Sequence, residues 1–333
     1  MKTSHQLLDA VVNRRRPVEP GMCREFWDRL GDRQVDAAEA AALLAALSAR
    51  MPDPAAVATL VESLLERRPR HGHRFPGAVN VVGTGGGPST ANISTAAAFV
   101  AAAAGVPVVK TGSRASSGGV GSINLLDRLG VSLTRSYERT GEHLARFGIA
   151  FAGYFVYPVE LTRLARTVLP LDMRTIGRWV NTIGPFLADV PVSAQLTGVS
   201  DVAHLPALRR LADGRRIWLC TNDLGADELV SVAVNTVHGD STFTVDPREL
   251  GIDGGSLDDL RGPSDDAEVV THFLDLLAGR ASSTAVATVC LNAAALAVAG
   301  GHQPNLTSGL RAAFSAVADG AARALAERVM SRG

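Results

Sequence analysis

Val81-Val82-Gly83-Thr84-Gly85-Gly86-Gly87-Pro88-Ser89-Thr90-Ala91-Asn92-Ile93-Ser94-Thr95 is the stretch on which the reading of this chain turns. Apolar residues run into glycines, then into polar residues, then into a helix expected to begin near Ser94. Glycine lets backbone N–H groups approach a ligand closely, and a helix N-terminus favours an anion. Asn92, Ser94 and Thr95 add side-chain donors and acceptors at the same spot. This chemistry suits a phosphate or pyrophosphate. Taken alone, the glycines are explained equally well by a plain strand–turn–helix connection. The spacing is neither GxGxxG with a later acid nor GxxxxGK[ST], so nicotinamide and Walker-type sites do not fit.

A second polar, glycine-rich loop follows the next expected strand, from Lys110-Thr111-Gly112-Ser113-Arg114 to Ser122. Loops leaving the carboxyl ends of neighbouring parallel strands converge on one crevice. Two such loops make a two-part anion site, with Lys110 and Arg114 supplying positive charge. Lys110 by itself would read as a solvated strand end.

Further out, strand-like runs at 78–82, 106–110, 149–152, 194–199 and 216–220 alternate with helical ones at 94–104 and 123–129. Alternation of this kind implies a mainly parallel sheet flanked by helices. Long Ala-rich helices are expected at 284–299 and 308–330. The first 72 residues read as helices only. Asp36 with Glu39 is a capping-box pattern, and Asp53-Pro54 marks another helix start. The expected architecture is a small helical lobe, residues 1–72, and a larger α/β domain, residues 73–333. The helical segment 174–184 can cross back, so the lobe is open to being joined by about 158–190.

Composition sets limits on function. Lys and Arg total 33 and so do Asp and Glu, which leaves no basic excess for a general nucleic-acid binder. Cys23, Cys220 and Cys290 are far apart and odd in number, which argues against a disulfide framework or zinc site. No apolar run is long enough to span a bilayer, and MKTSHQLLDAVVNRRRP lacks the apolar core of a signal peptide. A cytoplasmic protein without a membrane partner is expected.

At this point the residues resemble the anthranilate phosphoribosyltransferase family, whose landmarks are a GTGGD loop, an N-I-S-T helix start and a K-H-G-N-R loop before a Ser/Gly run. Gly83–Gly87, Asn92–Thr95 and Lys110 to Ser122 stand in that order here. Arg174-Thr175-Ile176, Asn181 to Pro185, Gln195 to Val199, Asp227-Glu228, LDDLRG at 257–262 and LNAAA at 291–295 continue it. The resemblance implies Mg²⁺-dependent transfer of 5-phosphoribosyl from 5-phosphoribosyl 1-pyrophosphate (PRPP), with pyrophosphate released. By that resemblance Gly83, Gly85, Gly86, Asn92, Ser94, Thr95, Lys110, Ser116 and Ser117 would hold PRPP, and Ser94, Asp227 and Glu228 the metal. Without it, Asp227-Glu228 would read as an exposed acidic pair. A homodimer through the helical lobe is also implied.

The departures fall on both sides. Gly87 stands where the family has Asp, and Gly119 where a Lys is usual. Thr111 and Ser113 replace His and Asn, and Tyr157 replaces a His before Pro. Cys220 to Asp223 lacks the family's V-H-G. The acceptor is therefore expected to differ from anthranilate and to be a larger or more polar amine or alcohol, such as an aminoglycoside of secondary metabolism. Thr111, Ser113, Tyr154, Tyr157 and Arg166 are its candidate contacts; Glu160 and Asp223 are candidate bases for an alcohol. True anthranilate transfer in tryptophan biosynthesis, a pyrimidine nucleoside phosphorylase-like activity and a non-catalytic nucleic-acid-binding relative are the alternatives.

Overall fold

The computed structural model describes residues 5–113 and 120–332. Four helices come first: α1 Gln6–Asn13, α2 Pro20–Gly31, α3 Ala37–Ala49 and α4 Pro54–Leu65. Then follow β1 Phe75–Gly83, α5 Ile93–Ala103, β2 Val108–Lys110, α6 Ser122–Arg128, α7 Tyr137–Phe147 and β3 Ile149–Phe151. Next are α8 Val159–Thr167, α9 Met173–Ile176, α10 Arg178–Leu187, β4 Val192–Gly198, α11 Leu205–Ala212 and β5 Ile217–Asn222. Last are β6 Asn235–His238, β7 Thr242–Val245, α12 Val269–Leu277, α13 Ser283–Ala299, α14 Leu306–Ala318 and α15 Ala321–Arg332.

The chain divides into two compact units. One is helical and comprises residues 1–72, 155–189 and 203–213, so it includes α11, which the sequence reading left in the α/β domain. Its core joins Phe26, Trp27, Leu43, Leu44, Leu60 and Leu64 to Trp179 and Ile183 of α10. Asp53 accepts from the N–H groups of Ala55 and Ala56, and Asp36 from that of Glu39. The expected capping box is half made: the Glu39 carboxylate pairs with Arg29 at 2.6 Å rather than turning back to cap the helix.

The other unit comprises residues 73–154, 190–202 and 214–333. Its seven-stranded sheet has the order β3-β2-β1-β4-β5-β6-β7. Strands β1 to β5 are parallel, and β6 and β7 add an antiparallel hairpin at one edge. A parallel sheet covered on both faces needs apolar strands, and Ala78, Val79, Val81 and Leu196 are accordingly buried. Helix α13 is buried on almost every side and packs against α5 and α14. The chain leaves β1 toward β2 on one side and returns through β4 on the other. The carboxyl ends of β1 and β4 therefore flank a topological switch point, where open α/β sheets bind ligands.

Candidate active site

The glycine loop leaves β1 at this switch point. Gly85 and Gly86 have φ of 71° and 84°, backbone that a Cβ would strain. Neighbouring segments fasten the loop. The Thr84 N–H donates to the Gly198 carbonyl at the end of β4, and the Ser200 Oγ donates to the Gly85 carbonyl at 2.6 Å. The Ala91 N–H donates to the Leu260 carbonyl, which shows what LDDLRG does: it closes the far end of the loop. Asn92 then starts α5 in the left-handed region, φ 57°, and its side chain makes no cap bond. The first-turn N–H groups and positive end of α5 therefore face the cleft with the loop.

Gly83, Gly85, Gly86, Asn92, Ser94, Lys110, Ser113, Asp227 and Glu228 line one cleft of about 180 Å³. The buried Lys110 Nζ donates to the Val81 carbonyl at 2.8 Å and to Ser94 Oγ at 3.3 Å. Burial pulls its pKa down to about 8, against the opposing pull of Glu228 and then Asp227. Glu228 is pushed the other way, well above the carboxylate range, by burial and then by the Asp227 charge; the Thr90 hydrogen bond and Lys110 act against this. Burial raises Asp227 too, and the Gly85 N–H that it accepts at 2.9 Å opposes the rise.

Glu228 Oε1 is buried and has no hydrogen-bond partner among the described residues. A buried carboxylate oxygen left bare beside a second carboxylate is costly in an apolar setting and is the normal surrounding of a cation. Among the described residues no group of three His, Cys, Asp or Glu side chains clusters for a metal. Two carboxylates and a hydroxyl beside a phosphate cradle are the donor set of Mg²⁺, which takes its remaining ligands from phosphate and water. The residues present fit that ion.

Several expected contacts fall elsewhere. Thr95 is fully buried and its hydroxyl does not reach the cleft, because it faces the core from the first turn of α5. Thr111 is 1 % exposed, and its hydroxyl accepts from Asn80 Nδ2 at 3.0 Å while its N–H donates to Asn80 Oδ1. Thr111 therefore borders the cleft but turns its side chain into the sheet, not toward an acceptor. Glu160 is buried in the helical unit beside Arg67 at 3.9 Å and Arg163 at 3.8 Å, so it is a structural ion-pair carboxylate and not a free base. Tyr157 and Arg166 also belong to the helical unit. Tyr154 is 55 % exposed and does not line the cleft; Asp223 lies exposed in the turn after β5. Ser116 and Ser117, with Arg114 and Gly119, lie outside the described residues.

The sequence reading missed the asparagines that hold the acidic pair. Asn222 Nδ2 donates to the carbonyls of Ala226 and Glu228, and its Oδ1 accepts the Ala226 N–H. Asn292, the polar residue of LNAAA, accepts the Leu229 N–H and donates to its carbonyl. Asn292 could have been flagged as the one amide in a run of apolar residues. Asn222 carried no signal, since a strand-end Asn is ordinary.

Residues 76–323 match the glycosyl transferase family, α/β domain. The chain is 35% identical over 320 residues to the anthranilate phosphoribosyltransferase of Methylobacterium nodulans, covering 92% of each chain. It is 35% identical over 307 residues to that of Thermus thermophilus, covering 90% of each. A crystal structure of the Thermus thermophilus anthranilate phosphoribosyltransferase is similar, with a TM-score of 0.78 and 31% identity over 98% of both chains. The Saccharomyces cerevisiae enzyme in complex with PRPP and Mg superposes with a TM-score of 0.80 at 19% identity, over 99% of this chain and 97% of that one, a likeness of fold.

Proposed function

Because the chain belongs to the anthranilate phosphoribosyltransferase family, within the glycosyl transferase α/β-domain group, we propose that it transfers 5-phosphoribosyl from PRPP to anthranilate with release of pyrophosphate. The observation that carries this is the meeting, at one switch point, of the glycine loop, the α5 N-terminus, Lys110 and the buried acidic pair. The names of the relatives favour anthranilate over the other acceptors that the sequence departures suggested.

The loop N–H groups and the α5 N-terminus would bind the phosphates, and Lys110 would add a buried cation beside Ser94. Ser94, Asp227 and Glu228 would hold Mg²⁺, which when bound supplies positive charge against the pyrophosphate oxygens. The acceptor nitrogen forms its bond to the anomeric carbon as the carbon–oxygen bond to pyrophosphate breaks, and one N–H proton is released. An aromatic amine is neutral at physiological pH, so this chemistry asks the protein for positioning and charge stabilisation rather than for a strong base. The buried, ion-paired Glu160 is consistent with that.

Incubation with PRPP, Mg²⁺ and anthranilate, followed by mass spectrometry, should show the phosphoribosyl adduct of anthranilate. A second reading, transfer to a different amine, is favoured by Thr111, whose hydroxyl is committed to Asn80 where the family has an imidazole. Adduct formation with an aliphatic amine and none with anthranilate would select it. We further propose a homodimer through the helical unit, supported by the exposed Val12, Val159, Leu169 and Leu171 and tested by light scattering.

A further inference from the structure

Three glycines crowd one acidic residue. A side chain at Gly83 would strike the Asp227 carboxylate, and one at Gly198 would strike the Asp227 main chain. A Cβ at Gly87 would meet the Gly225 carbonyl at 2.6 Å, the Asp227 nitrogen at 3.2 Å and Asp227 Oδ1 at 3.3 Å. Gly87 is the position at which the family's acid is missing, and in this chain the segment carrying Asp227 packs against it. Asn222 and Asn292 fasten that segment from behind. Held there, Asp227 Oδ2 accepts the Gly85 N–H at 2.9 Å, while Ser200 Oγ donates to the Gly85 carbonyl. Both backbone groups of Gly85 are thus satisfied from within the protein.

We propose that Asp227 is a positioning residue for the glycine loop, its carboxylate holding the Gly85 N–H as an internal stand-in for a donor phosphate, and that the absent side chain at Gly87 is what lets it reach. A backbone N–H directed at one anion is not available to a second, so a phosphate that uses Gly85 must displace Asp227. Drawing Asp227 toward a divalent cation frees that N–H, and metal and donor binding are coupled through one hydrogen bond. The coupling rests on the donor-site reading above; the hydrogen bond and its role in ordering the loop do not.

Amide hydrogen exchange of the ligand-free protein, resolved at Gly85, tests this for the parent, Asp227→Ala, Asp227→Asn and Gly87→Ala. Asn keeps an acceptor oxygen without the charge. Removing the acceptor should speed exchange at Gly85 about tenfold. Asp227→Asn should restore protection, and Gly87→Ala, whose Cβ pushes the 225–228 segment back, should resemble Asp227→Ala. Amides of α3 and α4 should stay unchanged, which separates a local effect from unfolding. Gly85 exchange equal to the parent's in both Asp227→Ala and Gly87→Ala would overturn the proposal. Calorimetry with inorganic pyrophosphate and no metal gives a second arm. Asp227→Ala, which frees the Gly85 N–H, should bind more tightly than Asp227→Asn, which lacks the charge too but keeps the N–H occupied; equal or weaker binding would overturn the coupling. A failure of the transfer reading would show instead as intact exchange effects with no product.

Discussion

Glu228 carries a buried oxygen without a partner among the described residues, and burial raises its carboxyl and that of Asp227 above the ordinary range. The folded, metal-free protein therefore keeps protons that the unfolded chain has already lost. Stability must fall as pH rises through that window, and a cation that replaces those protons restores it. The rise in melting temperature produced by Mg²⁺ with pyrophosphate should accordingly be larger near about pH 8 than near about pH 6. At about pH 8 and above, where the folded protein must give up that proton, Glu228→Gln removes the buried charge. Calorimetry should find its metal-free melting temperature raised by a few degrees, roughly what 1 kcal/mol gives a chain of this size, and its Mg²⁺ response lost. Asn80 tests the layer below. Its amide joins Thr111 of the second loop to Gln195 of β4, so Asn80→Ala orphans several buried groups. Urea unfolding should show a loss of about 3 kcal/mol. At this scale the sequence was a partial guide. Residue types around Gly83 to Ser94 pointed to the loop that lines the cleft because glycines, polar side chains and a helix start are local signals. Thr95, Thr111 and Glu160 were misplaced because the direction of a side chain depends on the sheet or helix behind it, which no local pattern encodes.

Elements were legible where a period or a cap marked them, as for the five parallel strands, α5 and α13. The β6–β7 hairpin escaped notice because each strand is four residues long and the alternation is brief. The single helix expected over 308–330 is two, α14 and α15, broken at Gly320, whose φ of 72° is left-handed. A helix C-terminus commonly ends on such a glycine. Between α13 and α14 the close approach depends on Gly309, where an added Cβ would lie 3.0 Å from Ala294 Cα and Cβ. Gly309→Leu should force the two helices apart and lower stability by about 2 kcal/mol in denaturant titration. The change lies at a helix contact rather than in the cleft, so PRPP binding by the folded fraction should persist.

Taken whole, the molecule places the cleft proposed to bind PRPP at the carboxyl ends of β1, β2 and β4, and the strand order accounts for that placement. Net charge is zero, so affinity for duplex DNA should be undetectable by gel shift even at low salt. Among the described residues no helix is long and apolar enough to cross a membrane. The family was legible because many short landmarks recur in a fixed order along the chain. The acceptor was not, because it is read by side-chain geometry and several of the family's acceptor residues are replaced. The most direct test of the central claim follows the fate of PRPP. With Mg²⁺ and anthranilate, the purified protein should release one pyrophosphate for each anthranilate consumed, and none when the metal is chelated. PRPP that stays intact in the presence of Mg²⁺ and anthranilate would contradict the account.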